Sequence, residues 1–228
     1  MDGKSNSGLV WQLVDTVLLD MDGTLLDLNF DRVFWRELVP QRYASVHGMS
    51  VSAAWALLEP LFRDKEGTLD WYCLDYWTRE LGFDVLALKH EVAHLIRLHA
   101  GVFSFLKNLH LRNKRLLLVT NAHFDSLTLK LARTGIAGYF EAVFSSHEFG
   151  MPKEQVGFWD VLSERAAYDA SRTVLVDDNV TVLTAARESG IAAQVAVRRP
   201  DSGAPRLTIE GFESVDSVAE LLGEPAGA

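Results

Sequence analysis

The sequence predicts an α/β fold: a parallel sheet whose order is interrupted, after the first strand, by an all-helical insertion. Three observations carry that reading. Short apolar runs recur from Val17 to Val197, helix-patterned segments separate them from Leu116 onwards, and between Leu28 and Ala100 the alternation disappears. Strands that alternate with helices form a parallel sheet covered on both faces, and such sheets bind ligands at the carboxyl ends of their strands.

The first strand is Val17-Leu18-Leu19, and it runs into Asp20-Met21-Asp22-Gly23-Thr24. Two carboxylates therefore lie two residues apart at the end of a buried strand, and Gly23 lets the backbone turn sharply. A carboxylate held there can attack phosphorus or bind a cation, and its neighbour can move a proton to or from a leaving oxygen. Asp-Gly is also ordinary turn chemistry, so this pentapeptide needs support from elsewhere in the chain.

The stretch that follows reads as helices broken by Pro40, Gly48, Pro60, Gly67 and Gly82, with no convincing strand. Its aromatics concentrate in Phe30-Asp31-Arg32-Val33-Phe34-Trp35 and in Leu69-Asp70-Trp71-Tyr72-Cys73-Leu74-Asp75-Tyr76-Trp77. At helical spacing most of these rings are expected to be the insertion's own core.

The second strand, Leu116 to Val119, ends in Thr120-Asn121. A hydroxyl and an amide there can donate to a phosphoryl oxygen, as can the free N–H groups of the turn. An amphipathic helix over Phe124 to Thr134 closes on Gly135. The third strand, Ala142 to Phe144, precedes Met151-Pro152-Lys153-Glu154, where a lysine supplies a fixed positive charge, and a helix is expected from Glu154 to Ala167. The fourth strand, Val174 to Val176, runs into Asp177-Asp178-Asn179. Two consecutive acids after a buried strand are costly unless their charge is compensated, and a Mg²⁺ ion shared with Asp20 would compensate it with the oxygen ligands that cation prefers. A helix over Val180 to Ser189, closing on Gly190, and a fifth strand, Gln194 to Val197, complete the alternation. The last residues, Glu224 to Ala228, read as a loose tail.

Composition narrows the function. With 48% apolar and 23% charged residues the chain is that of an ordinary soluble protein, and a formal net charge of −9 argues against DNA, RNA or an anionic membrane as partner. Cys73 is the single cysteine, which leaves no internal disulfide and no thiolate metal cluster. Met1 to Gly8 is polar and unlike a signal peptide, and no apolar run reaches the length of a membrane span, so a cytoplasmic protein is expected.

The four elements at strand ends, Asp20 to Thr24, Thr120-Asn121, Lys153 and Asp177-Asp178, in this order, resemble the four motifs of the haloacid dehalogenase-like (HAD) hydrolase superfamily. The resemblance implies a Rossmann-like core of residues 1–27 and 101–228 with a small α-helical cap, residues 28–100, inserted after the first strand. It further implies that Asp20 is the nucleophile forming an aspartyl-phosphate and that Asp22 is the general acid/base. Thr120 and Asn121 would hold the phosphoryl group, and Lys153 would orient Asp20 and offset charge. Mg²⁺, at a site that Mn²⁺ can also fill, would lie between Asp20, the Asp22 backbone carbonyl and Asp178, with Asp177 one shell out. A carboxylate at Asp22 resembles the phosphoester-cleaving branch, because an alkoxide leaving group benefits from a proton and a halide does not. The Phe34-Trp35, Leu38-Val39-Pro40, Trp71-to-Trp77 and Gly150-to-Glu154 segments are similar to those of the bacterial GMP/IMP 5′-nucleotidases. The implied substrate is a purine mononucleotide, and the alternative is a sugar-phosphate phosphatase or phosphomutase of the same fold.

One motif belongs to a different chemistry. His90-Glu91-Val92-Ala93-His94 matches the zinc-protease pattern H-E-x-x-H, which places two histidines on one helical face. A catalytic zinc wants a third protein ligand, and His99 is not at the spacing that would supply it.

Overall fold

The computed structural model describes residues 9–222. Readings that fall on Met1 to Gly8 and on the C-terminal tail therefore lie outside the described residues. The sheet has six parallel strands: β1 Thr16–Leu19, β2 Arg115–Thr120, β3 Ala142–Ser145, β4 Thr173–Asp177, β5 Ala193–Val197 and β6 Glu213–Val215, in the order β3-β2-β1-β4-β5-β6. The order reverses between β1 and β4, and at such a switch point a crevice opens outside the carboxyl ends of the strands.

Alternation along the strands divides the apolar residues between two layers, because successive side chains point to opposite faces. Val17, Leu19, Leu116, Leu118, Val174 and Val176 join one core. Leu18, Leu117, Val119 and Leu175 join the other. These residues are all at most 2% exposed, which explains why β1 and β4 read as unbroken apolar runs. Each fully buried aliphatic contributes about 1.5–3 kcal/mol of transfer free energy.

Between β1 and β2 the structure is helical: α1 Asn29–Val33, α2 Val39–His47, α3 Val51–Lys65, α4 Leu69–Tyr72, α5 Leu74–Leu81 and α6 Val85–Glu91, with a wide turn at Phe34–Leu38 joining α1 to α2. Four of its rings, Phe30, Phe34, Phe62 and Trp77, are buried, and Trp55, Tyr76 and Phe83 pack against them partly exposed. Trp77 donates its indole N–H to the Trp71 carbonyl at 2.8 Å. Trp35, Trp71 and Tyr72 are only half-buried.

The two chain segments that tie the insertion to the sheet are zipped together. Asp27 N–H donates to the Arg97 carbonyl at 3.0 Å, His99 N–H to the Leu25 carbonyl at 2.9 Å, and Leu26 bridges Leu98. The first segment is also pinned to the loop after β5 by Leu28 N–H on the Pro200 carbonyl and by Arg32 on Asp201, both at 2.8 Å.

The remaining helices are α7 Val102–Leu111, α8 Phe124–Thr134, α9 Val156–Ala166 and α10 Val180–Glu188. α7 and α8 contribute Phe105, Leu106 and Leu127 to the first core, and α9 and α10 contribute Phe158, Trp159 and Leu183 to the second. Three expectations need correction. Pro60 does not break a helix but lies inside α3. β6 carries only Glu213, Ser214 and Val215 and has no apolar run to announce it. α9 starts at Val156, so Glu154 lies in the turn ahead of it. Among the described residues no helix is long and apolar enough to cross a membrane.

Candidate functional site

Asp20, Asp22, Thr120, Asn121, Lys153, Asp177 and Asp178 converge on one cleft of about 300 Å³ at the carboxyl edge of the sheet. β1 delivers Asp20 and β4 delivers Asp177, the two strands that flank the switch point.

Lys153 is the centre of this cluster. Its ammonium donates to Asp20 Oδ1 at 2.6 Å, Asp177 Oδ2 at 2.8 Å and the Val119 carbonyl at 3.0 Å, and so spends all three protons. Burial pushes the Lys153 pKa down, but Asp177 and Asp20 outweigh it, so the lysine stays charged well above its ordinary range. Asp20 keeps Oδ2, which is buried and has no hydrogen-bond partner. Burial pushes the Asp20 pKa up to about 6; Asp177 adds to the rise and Lys153 opposes it.

Asp177 is committed on both oxygens, to Lys153 and to the Asn179 N–H at 2.9 Å. Asp178 packs against Gly23, and burial, Asp177 and Asp20 raise its pKa well above the usual carboxylate range. Asp20, Asp177 and Asp178 each present an oxygen within 4.8 Å of the others'. Three acids facing one lysine, with an orphaned carboxylate oxygen among them, form an oxygen donor set that suits a hard divalent cation. The residues fit the metal that the motifs imply.

Asn121 also makes contacts of its own within the protein. Its side-chain carbonyl accepts from Lys153 N–H at 2.9 Å and its amide donates to Glu154 Oε2 at 2.9 Å. The side chain therefore braces the turn after β3, and the amide's second N–H and the backbone N–H remain to be given to a phosphoryl oxygen. Thr120, 1% exposed, accepts from Ala122 N–H at 3.1 Å through Oγ1 and keeps its hydroxyl proton to give.

Several residues at the site were not singled out from the sequence. Glu154 gathers three donors: Asn121, the Tyr72 hydroxyl at 2.7 Å and the Asn179 amide at 3.3 Å. Tyr72 belongs to α4, so this bond joins the insertion to the catalytic edge of the sheet. Lys130 of α8 lies 2.7 Å from Asp22 Oδ1, and Asp31 and Lys89 reach the same cleft from the insertion. Burial pushes the Asp22 pKa up to about 6; Lys130 opposes the rise, while Asp31 and Asp20 add to it. The signal for the lysines was present in the pattern. Lys130 follows Leu127 by three positions on the apolar face of α8, and Lys89 follows Val85 by four on that of α6.

Beside the cleft lies a second hollow of about 630 Å³, and Leu28, Asp31, Trp35 and Trp71 line both. Trp55, Arg36, Glu59 and Arg63 also line it, so it offers aromatic faces together with donors and acceptors.

The H-E-x-x-H segment does not form a metal site. α6 ends at Glu91, Val92 leaves the helix, and Ala93–Leu95 is a separate 3₁₀ turn, so the two histidines do not share a helical face. His90 and His94 are exposed, Glu91 pairs with Arg42 at 2.7 Å, and among the described residues neither histidine joins a cluster that could hold a metal.

A doubly wound parallel sheet with carboxylates at its switch point and a helical insertion after β1 defines a class. The chain belongs to the haloacid dehalogenase-like hydrolase family, which it matches over residues 14–190, and it is a hydrolytic enzyme. It is 38% identical over 214 residues to the GMP/IMP nucleotidase YrfG of Escherichia coli (strain K12), covering 94% of this chain and 96% of that one. The GMP/IMP nucleotidase YrfG of Shigella flexneri aligns with the same identity and coverage. Among solved structures, a HAD phosphatase from Thermococcus onnurineus shares the fold with a TM-score of 0.77 at 20% identity, over 91% of this chain and 96% of that one. The L-2-haloacid dehalogenase from Xanthobacter autotrophicus shares it with a TM-score of 0.62 at 16% identity, over 92% and 97%.

Proposed function

We propose that this enzyme is a cytoplasmic, Mg²⁺-dependent phosphomonoester hydrolase that removes the 5′-phosphate of purine mononucleotides, with GMP and IMP ahead of AMP. Residues 28–100 act as a cap over a core formed by 1–27 and 101–228. The observation that carries the reading is Asp20, clamped on Oδ1 by Lys153 and free on Oδ2, with Asp22 beside it in the cleft.

Asp20 Oδ2 attacks phosphorus in line, and the bond from phosphorus to the ribose 5′-oxygen breaks as the new Asp20–phosphorus bond forms. Asp22 gives its proton to that oxygen, which leaves as the nucleoside hydroxyl. Asp22, now a carboxylate, takes a proton from water as the water attacks the aspartyl-phosphate. Inorganic phosphate leaves and Asp20 is restored. The Thr120 hydroxyl and the N–H groups of the turn after β2 hold the phosphoryl oxygens. Asp20, the Asp22 carbonyl and Asp178 would hold Mg²⁺, which when bound supplies charge to offset those oxygens. Asp177 stands one shell out, because Lys153 and the Asn179 N–H already occupy it.

The second hollow, lined mostly by the insertion, supports the base preference. Its tryptophans can stack on a planar ring, and its arginine and glutamate groups can read a ring edge. GMP and IMP share a 6-oxo acceptor beside a ring N–H donor. AMP reverses that pattern, and a site built for the oxo form would leave buried groups unpaired. The nucleotidase named among the relatives supports the same preference. A panel of nucleotides and sugar phosphates, assayed with Mg²⁺ for released phosphate, tests this. A preference for hexose phosphates would replace the reading with a sugar-phosphate phosphatase or mutase using the same chemistry.

A further inference from the structure

Lys130 touches two carboxylates at once. Its ammonium lies 2.7 Å from Asp22 Oδ1 and 2.7 Å from Asp31 Oδ2, and the side chain is 2% exposed. Asp31 Oδ1 accepts from Lys89 Nζ at 3.1 Å, and Lys89 is buried over the rings of Phe30 and Phe34. Four charges thus alternate in a row: Asp22, Lys130, Asp31, Lys89. The first two belong to the sheet side, whereas Asp31 on α1 and Lys89 on α6 belong to the insertion. Burying such a row costs desolvation that well-packed apolar side chains would avoid, so stability alone does not account for it.

We propose that Lys130 is a positioning residue for Asp22, and that Asp31 makes this positioning depend on the cap being seated. The proposal rests on Asp22 acting as the acid/base group. Oδ1 meets the Lys130 ammonium as an ion pair without hydrogen-bond geometry, and Oδ2 is the oxygen left to give and take the proton. Lys130 can hold Asp22 still only if the long lysine chain is itself held, and Asp31 supplies that second anchor. When the cap lifts, Asp31 and Lys89 leave with it, and the lysine is tethered on one side only. Proton delivery to the leaving group is then in register only over an enclosed substrate, the condition under which water is also excluded.

The test compares two esters on the full-length enzyme with Mg²⁺. The nucleoside of GMP leaves as an alkoxide that needs a proton, whereas p-nitrophenyl phosphate releases a stable phenolate that does not. In Lys130→Gln, and in the charge-balanced double variant Asp31→Asn/Lys89→Gln, kcat for GMP should fall at least about tenfold while KM shifts less than about threefold. The first-turnover burst of p-nitrophenolate should fall less than about threefold, and Lys130→Arg should recover part of the GMP loss. The double variant leaves the Lys130–Asp22 contact in place, so it carries the test if Lys130→Gln fails to fold. Equal losses on both esters, or unchanged GMP turnover, overturn the proposal. Asp22→Asn is assayed in parallel: if it keeps normal GMP turnover, the acid/base reading falls and the proposal with it. A wild type that ignores GMP refutes the nucleotidase reading alone, and the comparison is then made with glucose 6-phosphate, whose sugar also leaves as an alkoxide.

Discussion

Gly23 and Asp178 approach so closely that no side chain fits between them. A Cβ on Gly23 would lie 2.5 Å from Asp178 Oδ2 and 2.6 Å from its Cγ, and the Gly23 backbone is left-handed at φ +89°. The turn after β1 and the turn after β4 are therefore packed against each other. The acids they carry meet in one cleft because residue 23 has no side chain.

Gly23→Ala tests that contact. The new methyl must push Asp178 aside and must also hold an unfavourable φ, so both the cation site and the Asp20 turn should shift. A displacement of about 1 Å can cost about a hundredfold in turnover. The expected result is a loss of that order with weaker Mg²⁺ binding by calorimetry, in a chain that still folds by circular dichroism.

Asp20→Asn should abolish turnover, by about a thousandfold or more, because the amide cannot attack phosphorus. Lys153 then loses one of its two carboxylate partners but keeps Asp177 and the Val119 carbonyl, so the fold should persist. Near-normal phosphate release by this variant would show that the nucleophile lies elsewhere.

The acid cluster also sets a pH dependence of stability. Asp20 and Asp22 are both pushed up to about 6, chiefly by burial, and Asp178 is raised by burial, Asp177 and Asp20. A carboxyl whose pKa is raised on folding favours the folded state below its unfolded value near 4, and that contribution is lost as pH rises through the folded value. Asp31 behaves oppositely: Lys130 and Lys89 outweigh its burial and hold it at about 2, so it titrates below this window. The metal-free protein should melt at falling temperature from pH ~4 to ~6. Mg²⁺ competes with protons for Asp20 and Asp178, so saturating Mg²⁺ should raise Tm more at pH 8 than at pH 5. Scanning calorimetry at the two pH values checks this, and a Mg²⁺ increment independent of pH would place the cation elsewhere.

Tyr72→Phe removes the bond from the insertion to Glu154 while leaving Glu154 its two amide donors. Losing one such bond costs about 1–1.5 kcal/mol, or roughly tenfold in the balance between seated and lifted cap. Nucleotide kcat/KM should fall by about that factor, with p-nitrophenyl phosphate affected less. Equal effects on both esters would mean that Tyr72 does not act through the cap.

Much of the chemistry was legible because it lies beside secondary structure that announces itself. Asp20, Thr120 and Asp177 each end an apolar run, and such a run at a strand's length, followed by a turn, marks both the strand and its carboxyl end. β6 gave no such mark: three residues at the sheet edge, two of them polar, pair only with β5. The H-E-x-x-H pattern was already weakened in the sequence by its missing third ligand, and its spacing presumes a continuous helix that the chain leaves at Val92. That the Asn121 side chain also braces Lys153 and Glu154 was not legible, because both partners lie more than thirty residues away in the chain.

The sequence by itself determined the order of the strands' acid and base ends, the place of the helical insertion and the identity of the cleft's first ring of charges. These follow from periodicity and turn chemistry over a few neighbouring residues. Only the tertiary structure decided who partners whom. Lys130 meets Asp31 across 99 residues, Tyr72 meets Glu154 across 82, and Lys89 meets Asp31 across 58. A lysine on an apolar helix face can be read locally as a buried charge. Which carboxylate makes that burial tolerable depends on how the insertion folds back over the sheet.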